Sequence, residues 1–219
     1  MFQLNLEKLR TVLCLGAHSD DIEIGCGGTI LKLVGARRGL HVIWVVFSAE
    51  GTRSREARLS AASFLRGVGK STIVIKRFRN GFFPFEGRRI KEYFERLKRI
   101  CRPDIVFTHY LDDRHQDHRV LSDLAWNTFR NHLILEYEIP KYDGDLGSPN
   151  LFVSLDEKVC RAKADSLGKF FRTQANKHWF TDDLFFSLMR LRGMECASTT
   201  KYAEAFYCRK LAVALELAP

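Results

Sequence analysis

Short apolar runs rich in β-branched residues alternate with longer segments of helical period through the first 140 residues. The apolar runs predict five strands, at residues 11–16, 41–47, 71–76, 104–108 and 133–138. The longer segments predict helices at residues 28–36, 53–65, 86–100 and 117–129. Because strands and helices alternate, we expect an α/β fold, a Rossmann-like three-layer sandwich around a mostly parallel sheet of strand order 3-2-1-4-5.

The alternation ends after Pro140. Residues 141–150 carry glycine and proline among polar residues and predict a loop, and helices are expected around residues 155–171 and 182–191. Residues 202–208 predict a final edge strand. Since no linker is long enough to separate a second core, we expect an α/β cap on the same core and a single domain over residues 1–219.

Composition is that of an ordinary globular protein, with 219 residues, 46% of them hydrophobic and 28% charged. The apolar run at residues 42–47 is far shorter than the roughly 20 residues that a membrane-spanning helix needs, so no transmembrane segment is expected. The N-terminal residues lack the features of a secretion signal, which favours a cytoplasmic protein. Six dispersed cysteines without a CxxC pair predict reduced thiols and no cysteine-ligated zinc site.

The chain has a net charge of +9, and its positive charge is concentrated in residues 53–102, which hold 15 Lys and Arg and only four Glu. Such a segment could attract phosphates of a nucleic acid, a nucleotide-sugar or an anionic lipid. The apolar residues of segment 86–100 recur at helical spacing, however, so most of its charges fall on a solvated helix face. No nucleic-acid motif accompanies the charge, and a nucleic-acid partner is not expected.

Polar clusters follow two of the predicted strands. His18, Asp20 and Asp21 come after the first strand, and the fourth is followed by His115 and His118 with Asp117 between them. Strands 1 and 4 are neighbours at the switch point of a 3-2-1-4-5 sheet, so both clusters should meet in one crevice. Imidazoles and carboxylates together suit a divalent metal, with a further carboxylate free to act as a base.

Four short motifs resemble the signature segments of the LmbE-like (PIG-L) family of zinc-dependent de-N-acetylases, which act on N-acetylglucosaminyl groups. They are HSDD at 18–21, GCGGT at 25–29, HQDH at 115–118 and YAEAF at 202–206. Ser19 departs from the proline that is common in the family. We interpret the glycines of the second motif as positions where a helix approaches its neighbours closely.

The resemblance implies roles for six of these residues. His18, Asp21 and His118 match the metal ligands, with Zn²⁺ as the expected cofactor and another divalent metal such as Fe²⁺ as an alternative. Asp20 matches the general base. His115 matches the residue that stabilises the oxyanion or protonates the leaving amine, and Asp117 is expected to orient an imidazole. How the acid duties divide between Asp20 and His115 stays open.

A softer match lies after the second strand, where Arg53 and Glu56 resemble an R-x-x-E segment of the family. It suggests that Arg53 contacts substrate hydroxyls or a phosphate. The alternative is a surface ion pair between Arg53 and Glu56, three positions apart on a helix.

The implied function is a metal-dependent hydrolase that removes the N-acetyl group from an N-acetylglucosamine-type amino sugar and releases acetate. The sugar could be a glycoside or be linked to a nucleotide or a lipid. The alternative is a zinc hydrolase that acts on another amide or on a phosphate ester, with the basic segment holding the phosphate. The expected partner is therefore a small-molecule amino sugar, and the sequence defines no oligomeric state.

Overall fold

The computed structural model describes residues 8–37 and 39–212. The first seven residues, on which the expectation about secretion rests, lie outside the described part. The strands are β1 (Thr11–Gly16), β2 (His41–Val46), β3 (Lys70–Ile75), β4 (Ile105–His109), β5 (Leu133–Tyr137), β6 (Leu151–Leu155) and β7 (Tyr202–Tyr207). The α-helices are α1 (Asp21–Ala36), α2 (Gly51–Phe64), α3 (Phe83–Ile100), α4 (Gln116–Thr128), α5 (Glu157–Phe170) and α6 (Asp182–Glu195), with a 3₁₀ turn at Arg172–Gln174.

The strands form one seven-stranded sheet in the order β3-β2-β1-β4-β5-β7-β6. Strands β1 to β5 are parallel, so the predicted order 3-2-1-4-5 is confirmed. In the centre of the sheet, Val12 of β1 lies between Val42 of β2 and Ile105 of β4. This register aligns the ends of β1 and β4, where the polar clusters follow.

Successive residues of the central strands point to opposite faces of the sheet, and helices cover both faces. On one face, Val12 and Cys14 join a core with residues of α1, α2, α5 and α6. On the other, Leu13 and Leu15 pack with residues of α3 and α4. The predicted three-layer sandwich is therefore confirmed. Among the described helices, none combines the length and apolar character needed to cross a membrane.

The C-terminal third differs from the prediction in two respects. A strand that the sequence analysis missed, β6, precedes α5 and forms the sheet edge. The segment predicted to be an edge strand, β7, is instead internal, since it pairs antiparallel with both β5 and β6. With only five residues, four of them half-buried, β6 gives little pattern from which to predict a strand, and so its partner appeared to be the edge.

Helix α1 also begins earlier than predicted, at Asp21 rather than residue 28, and it is kinked. The backbone leaves helical geometry at Cys26, where φ is −140° and ψ is 16°. The three glycines around the kink are poor helix formers and obscured the first turns in the sequence pattern. Gly25 is required by packing, because a Cβ there would collide with the Tyr137 ring.

The kink is capped by a carboxylate from the last strand. Glu204 of β7 accepts hydrogen bonds from the backbone amides of Gly28 at 2.8 Å and Thr29 at 2.6 Å. The ammonium group of Lys163 on α5 lies 2.7 Å from the same carboxylate and donates to the carbonyl oxygen of Ile24 at 2.6 Å. Glu204 and Lys163 are both buried, so this ion pair joins the C-terminal segment to both halves of α1.

We expect Glu204→Ala to lower the free energy of unfolding by about 3–5 kcal/mol, because it leaves the Lys163 charge buried without its partner. Urea unfolding followed by circular dichroism measures the change. Glu157→Ala, which removes an exposed glutamate of α5, serves as the matched control and should change stability by about 0.5 kcal/mol or less. Equal losses in the two variants would contradict the structural importance of the buried pair.

Candidate active site

The candidate active site lies at the carboxyl ends of β1 and β4, which are neighbours in the sheet. Residues 17–20 follow β1 and lead into α1, and residues 110–115 follow β4 and lead into α4. Because neighbouring parallel strands end at the same edge, the two polar clusters meet there. Both strands are buried, so the edge is held by the centre of the core.

Three side-chain atoms from these segments converge on one point. His18 Nδ1 lies 3.2 Å from His118 Nε2 and 3.4 Å from Asp21 Oδ2, and the last two atoms are 3.5 Å apart. With bonds of about 2.0–2.1 Å, two ligands of a tetrahedral zinc ion lie about 3.3–3.4 Å from each other. The three atoms therefore have the spacing of three zinc ligands, and a fourth corner is left for another ligand.

The far nitrogen of each imidazole has a carboxylate partner. His118 Nδ1 lies 2.9 Å from Asp113 Oδ2, and His18 Nε2 lies 3.1 Å from Asp117 Oδ2. If each far nitrogen donates its proton to the carboxylate, the lone pairs of His118 Nε2 and His18 Nδ1 face the shared point. Carboxylate partners of this kind orient histidines that bind metal.

Two further groups of three side chains also have their possible ligand atoms within 4.8 Å: His18, His115 and His118, and Asp21, His109 and His118. His109 fits a metal less well than the converging set does. Its Nε2 accepts a hydrogen bond from the backbone amide of Ala17 at 3.0 Å. The lone pair of this nitrogen, which lies near Asp21, is therefore not available to bind a metal. His109 is fully buried, and its ring stacks on that of His118 with centroids 3.8 Å apart.

His115 stands beside the converging atoms as the N-cap of α4. Its Nδ1 accepts the backbone amide of Asp117 at 3.2 Å, so a neutral ring carries its proton on Nε2. The ring centroid lies 4.8 Å from that of His18 and 4.5 Å from that of His118. Burial and the neighbouring His18 lower the pKa of His115, which favours this neutral form. The imidazole can thus donate a hydrogen bond from Nε2.

Asp117 is fully buried and connects the site to the segment between β3 and α3. Its carboxylate lies near His18 and also accepts hydrogen bonds from the backbone amides of Gly81 at 2.6 Å and Phe83 at 3.1 Å. Gly81 has a φ of +78°, a conformation that favours glycine. These bonds hold the carboxylate in place, and Asp117 in turn fixes the orientation of His18.

Asp20 lies next to Asp21 but outside the converging set. Its Oδ1 is 3.2 Å from Ser19 Oγ and 3.2 Å from Arg53 Nη2, and the Arg53 guanidinium also donates to Ser19 Oγ from Nε and Nη2, at 3.0 and 2.8 Å. Glu56 is buried and bonds Thr173 instead of Arg53. The surface pair of Arg53 and Glu56, which was the alternative, is therefore not formed, because Arg53 turns toward the site.

The electrostatics of the cluster favour a cation at its centre. Burial opposes a charge on His18, but the carboxylates of Asp21 and Asp117 outweigh it and raise the pKa of His18 to about 10. Burial and the neighbouring His109 lower the pKa of His118 to about 3, so its imidazole is neutral. Burial also acts to raise the pKa of Asp21, yet the surrounding imidazoles hold it well below its usual range. The site thus offers the Asp21 carboxylate and the neutral His118 imidazole as metal ligands, and His18 becomes the third when a cation at the shared point replaces its proton.

The pKa of Asp20 is shifted upward, in the opposite direction from that of Asp21. Burial and the adjacent Asp21 raise the pKa of Asp20, and the Arg53 guanidinium offsets part of that rise. A carboxylate with a raised pKa accepts and returns a proton more readily near neutral pH than an ordinary one. The two adjacent aspartates are therefore differentiated by their surroundings.

Two residues of the site were missed in the sequence analysis. Asp113 lies inside the second polar cluster, but nothing in its spacing distinguishes it from the exposed Asp112. Lys141 comes from the predicted loop after β5, and its ammonium lies 3.0 Å from Asp113 Oδ2 and also contacts Asp145. Burial acts to raise the pKa of Asp113, but His118, His109 and Lys141 together lower it. No pattern in the sequence links Lys141 to this site.

Comparison with known proteins identifies relatives of the chain. The sequence model of the GlcNAc-PI de-N-acetylase (PIG-L) family matches residues 13–129, which contain both polar clusters. A curated relative from Escherichia coli (strain K12), the uncharacterized deacetylase YaiS, is 28% identical over 180 residues, covering 74% of this chain and 91% of that protein.

Solved structures share the fold at low identity. The N,N'-diacetylchitobiose deacetylase from Pyrococcus horikoshii is 21% identical with a TM-score of 0.63, over 93% of this chain and 86% of that one. GalB, the 4-carboxy-2-hydroxymuconate hydratase from Pseudomonas putida KT2440, is 16% identical with a TM-score of 0.67, over 96% and 100%. Since a deacetylase and a hydratase both match, these similarities establish the architecture and leave the chemistry to the site.

We expect Asp113→Asn to weaken the binding of Zn²⁺ by about 10- to 100-fold, because the variant loses the charge that orients His118. Competition with a chromophoric chelator measures the affinity. Asp112→Asn removes the neighbouring carboxylate, whose side chain is 67% exposed, and should leave the affinity unchanged. If both variants bind zinc as tightly as the parent protein, His118 is not oriented by Asp113 for metal binding.

Proposed function

Because the chain belongs to the GlcNAc-PI de-N-acetylase (PIG-L) family and is thus an enzyme that acts on amide bonds, we propose that it removes the N-acetyl group from an N-acetylglucosamine-type amino sugar. The products are acetate and the free amine. The observation that carries this proposal is the convergence of His18 Nδ1, Asp21 Oδ2 and His118 Nε2 beside the unligated carboxylate of Asp20. This arrangement has the ligands and the base that metal-dependent amide hydrolysis requires.

His18, Asp21 and His118 would hold the metal. Two imidazoles and one carboxylate suit Zn²⁺ in a catalytic site, and Fe²⁺ is the alternative because it accepts the same ligand types. When bound, the metal supplies a Lewis acid that makes water more acidic and polarises the acetamide carbonyl. Asp117 and Asp113 hold the two imidazoles in the orientation that this binding needs.

Asp20 is the general base in this proposal. It takes the proton from the attacking water, and its burial beside Asp21 raises its pKa so that it can return the proton later. Ser19 and Arg53 hold Oδ1 and so restrict the rotation of the carboxylate. The serine at position 19, where the family commonly has proline, thereby contributes a hydrogen bond to the base.

His115 stabilises the tetrahedral oxyanion or protonates the leaving amine. Since its Nδ1 accepts the Asp117 amide, its Nε2–H is the group that donates. A fixed donor that needs no reorganisation during the reaction lowers the barrier more than a mobile one. The N-cap bond supplies that fixation.

Arg53 binds a substrate oxygen in addition to holding Asp20. Its Nε and Nη2 are engaged by Ser19 and Asp20, whereas Nη1 donates no hydrogen bond to any residue within the described ranges. The side chain is 31% exposed, so Nη1 can reach a hydroxyl or phosphate oxygen at the site.

Acetate release from a panel of acetamido sugars tests the proposed reaction. The panel contains free N-acetylglucosamine, a glycoside, and phosphorylated, nucleotide-linked and lipid-linked forms. We expect release from at least one of them, its loss after chelation, and its recovery with Zn²⁺. Asp20→Asn should keep the metal and lose about 10²- to 10⁴-fold in kcat, because the variant has no base.

His118→Ala is the companion variant and should lose metal and activity together. An Asp20→Asn enzyme with full turnover would remove Asp20 from the role of base. If a protein that holds one equivalent of metal releases no acetate from the whole panel, the reaction is a different one, and other amides and phosphate esters become the substrates to test.

Arg53→Lys should raise KM about tenfold or more, since it removes a charge-assisted hydrogen bond to the substrate, with a smaller effect on kcat. Steady-state kinetics on the substrate found with the panel measure both constants. Arg55→Lys, an equal change at an exposed position of α2, is the control and should behave like the parent enzyme. A lower kcat at unchanged KM would mean that Arg53 only positions Asp20.

A further inference from the structure

A groove runs along the outer edge of the sheet, between the end of β3 and the exposed side of α3. Its volume is about 500 Å³. Residues 75–78 line one side, and Arg89, Glu92 and Arg96 of α3 line the other. Four of these seven side chains are basic and one is acidic, within the segment that carries most of the positive charge of the chain.

The positive charge of the groove is not neutralised by nearby carboxylates. Glu92 is engaged by Arg88, which lies outside the groove, and Arg89 is paired with Glu86. Three cations remain, Lys76, Arg77 and Arg96, and none of them has a carboxylate within ion-pair distance in the part of the chain that the structure describes. The groove therefore carries about three unbalanced positive charges.

Two of these cations lie beside the same aromatic ring. Lys76 Nζ lies 4.6 Å from the centroid of the Tyr93 ring, and Arg96 Cζ lies 5.4 Å from the same centroid. The two charged groups are thus no more than about 10 Å apart, and contact with the ring limits their motion. Arg89 lies similarly over Phe78, at 5.5 Å. A bound anion in the groove would be attracted by both charges at once.

This placement separates the groove from the ordinary charged face of α3. Lys98 and Arg99 belong to the same helix and are exposed, as Arg96 is, but they do not line the groove. A solvated helix face explains those two residues. It does not explain why Lys76, from a different element, and Arg96 lie beside the same Tyr93 ring, each without a carboxylate at ion-pair distance among the described residues.

We propose that the groove binds the diphosphate group of a small phosphorylated molecule. Arginine and lysine form charge-assisted hydrogen bonds with phosphate oxygens, and arginine can do so with two bonds at once. Lys76 and Arg77 line one side of the groove and Arg96 lines the other, so two linked phosphoryl groups can contact cations on both sides where a single one would reach fewer. The three cations therefore match a diphosphate better than a monophosphate.

The groove is near the candidate active site but separated from it by aromatic rings. Phe78, which lines the groove, lies 6.2 Å from Phe83 between ring centroids, and Phe83 lies 6.2 Å from His18. The groove wall is therefore within about 12 Å of the His18 ring. At this distance the diphosphate could belong to the substrate itself or to a separate ligand.

Isothermal titration calorimetry with ADP tests the groove. The holoprotein should bind one equivalent, AMP should bind more weakly, and adenosine should not bind. Lys76→Gln/Arg96→Gln should weaken ADP binding at least tenfold. Lys98→Gln/Arg99→Gln removes the same charge from the same region and should change the affinity less than threefold.

Three outcomes overturn the proposal: no saturable binding of ADP, equal weakening in both double variants, and undiminished binding in the groove variant. The second outcome would indicate a general charge effect, and the third would place the ligand elsewhere, for example at the metal. Thermal unfolding of both variants verifies that they fold. Because the titration requires no turnover, it can succeed or fail independently of the proposed deacetylation.

Kinetics then distinguish the source of the diphosphate, and this step rests on the proposed function. If the diphosphate is part of the substrate, the groove variant raises KM about tenfold for a nucleotide-linked N-acetylglucosamine and leaves KM for an unphosphorylated glycoside unchanged. If the ligand is separate, both KM values stay unchanged while ADP binding is lost. Either result supports the groove as a diphosphate site, and the absence of acetate release from both sugars contradicts the proposed function alone.

Discussion

Four carboxylates are buried at one edge of the sheet, and the need to neutralise them organises the surrounding chain. They are Asp20, Asp21, Asp113 and Asp117, each 4% exposed or less. Burying an unpaired charge costs several kcal/mol, so every one of them has polar or positive neighbours. Lys141 contacts Asp113, the segment after β3 donates its amides to Asp117, and Arg53 reaches Asp20. Segments that follow five different strands, β1 to β5, are thereby fixed around one centre, which a divalent cation would neutralise further.

The sequence predicted the parallel half of the fold because each strand there is a continuous apolar run between amphipathic helices. The prediction failed for elements that are stabilised by residues far away in the sequence. Strand β7 lies between β5 and β6 although it follows both of them in the chain, and Glu204 on β7 caps the kink in α1. Glu204 accepts a hydrogen bond from the backbone amide of Thr29, which lies 175 residues away in the chain, and a local sequence pattern cannot connect the two. The same bonds fix the helix that begins at Asp21, so the C-terminal strand supports the site indirectly.

The site itself was predictable as far as it depends on strand ends. His18, Asp21 and His118 could be placed together because β1 and β4 are neighbours and the motif is local. The sequence could not show whether Asp112 or Asp113 orients His118. Both have suitable spacing, and only the folded structure shows that Asp113 is buried against His118 while Asp112 is exposed. The partners of Arg53 were also beyond prediction. Its helix position allows a surface pair with Glu56, and only the tertiary structure turns it toward the site.

Two regions of opposite charge lie near each other in the structure. Acidic groups are concentrated at the buried centre, where a cation is favoured, and basic groups cover the edge formed by β3 and α3. The aromatic rings of Phe78 and Phe83 lie between the two regions, so the basic side chains there do not neutralise the carboxylates of the site. Fields of opposite sign at a fixed separation would orient a ligand whose anionic group lies away from its amide. The segment after β3 sets that separation, because it lines the basic groove at Arg77 and donates to Asp117 from Gly81.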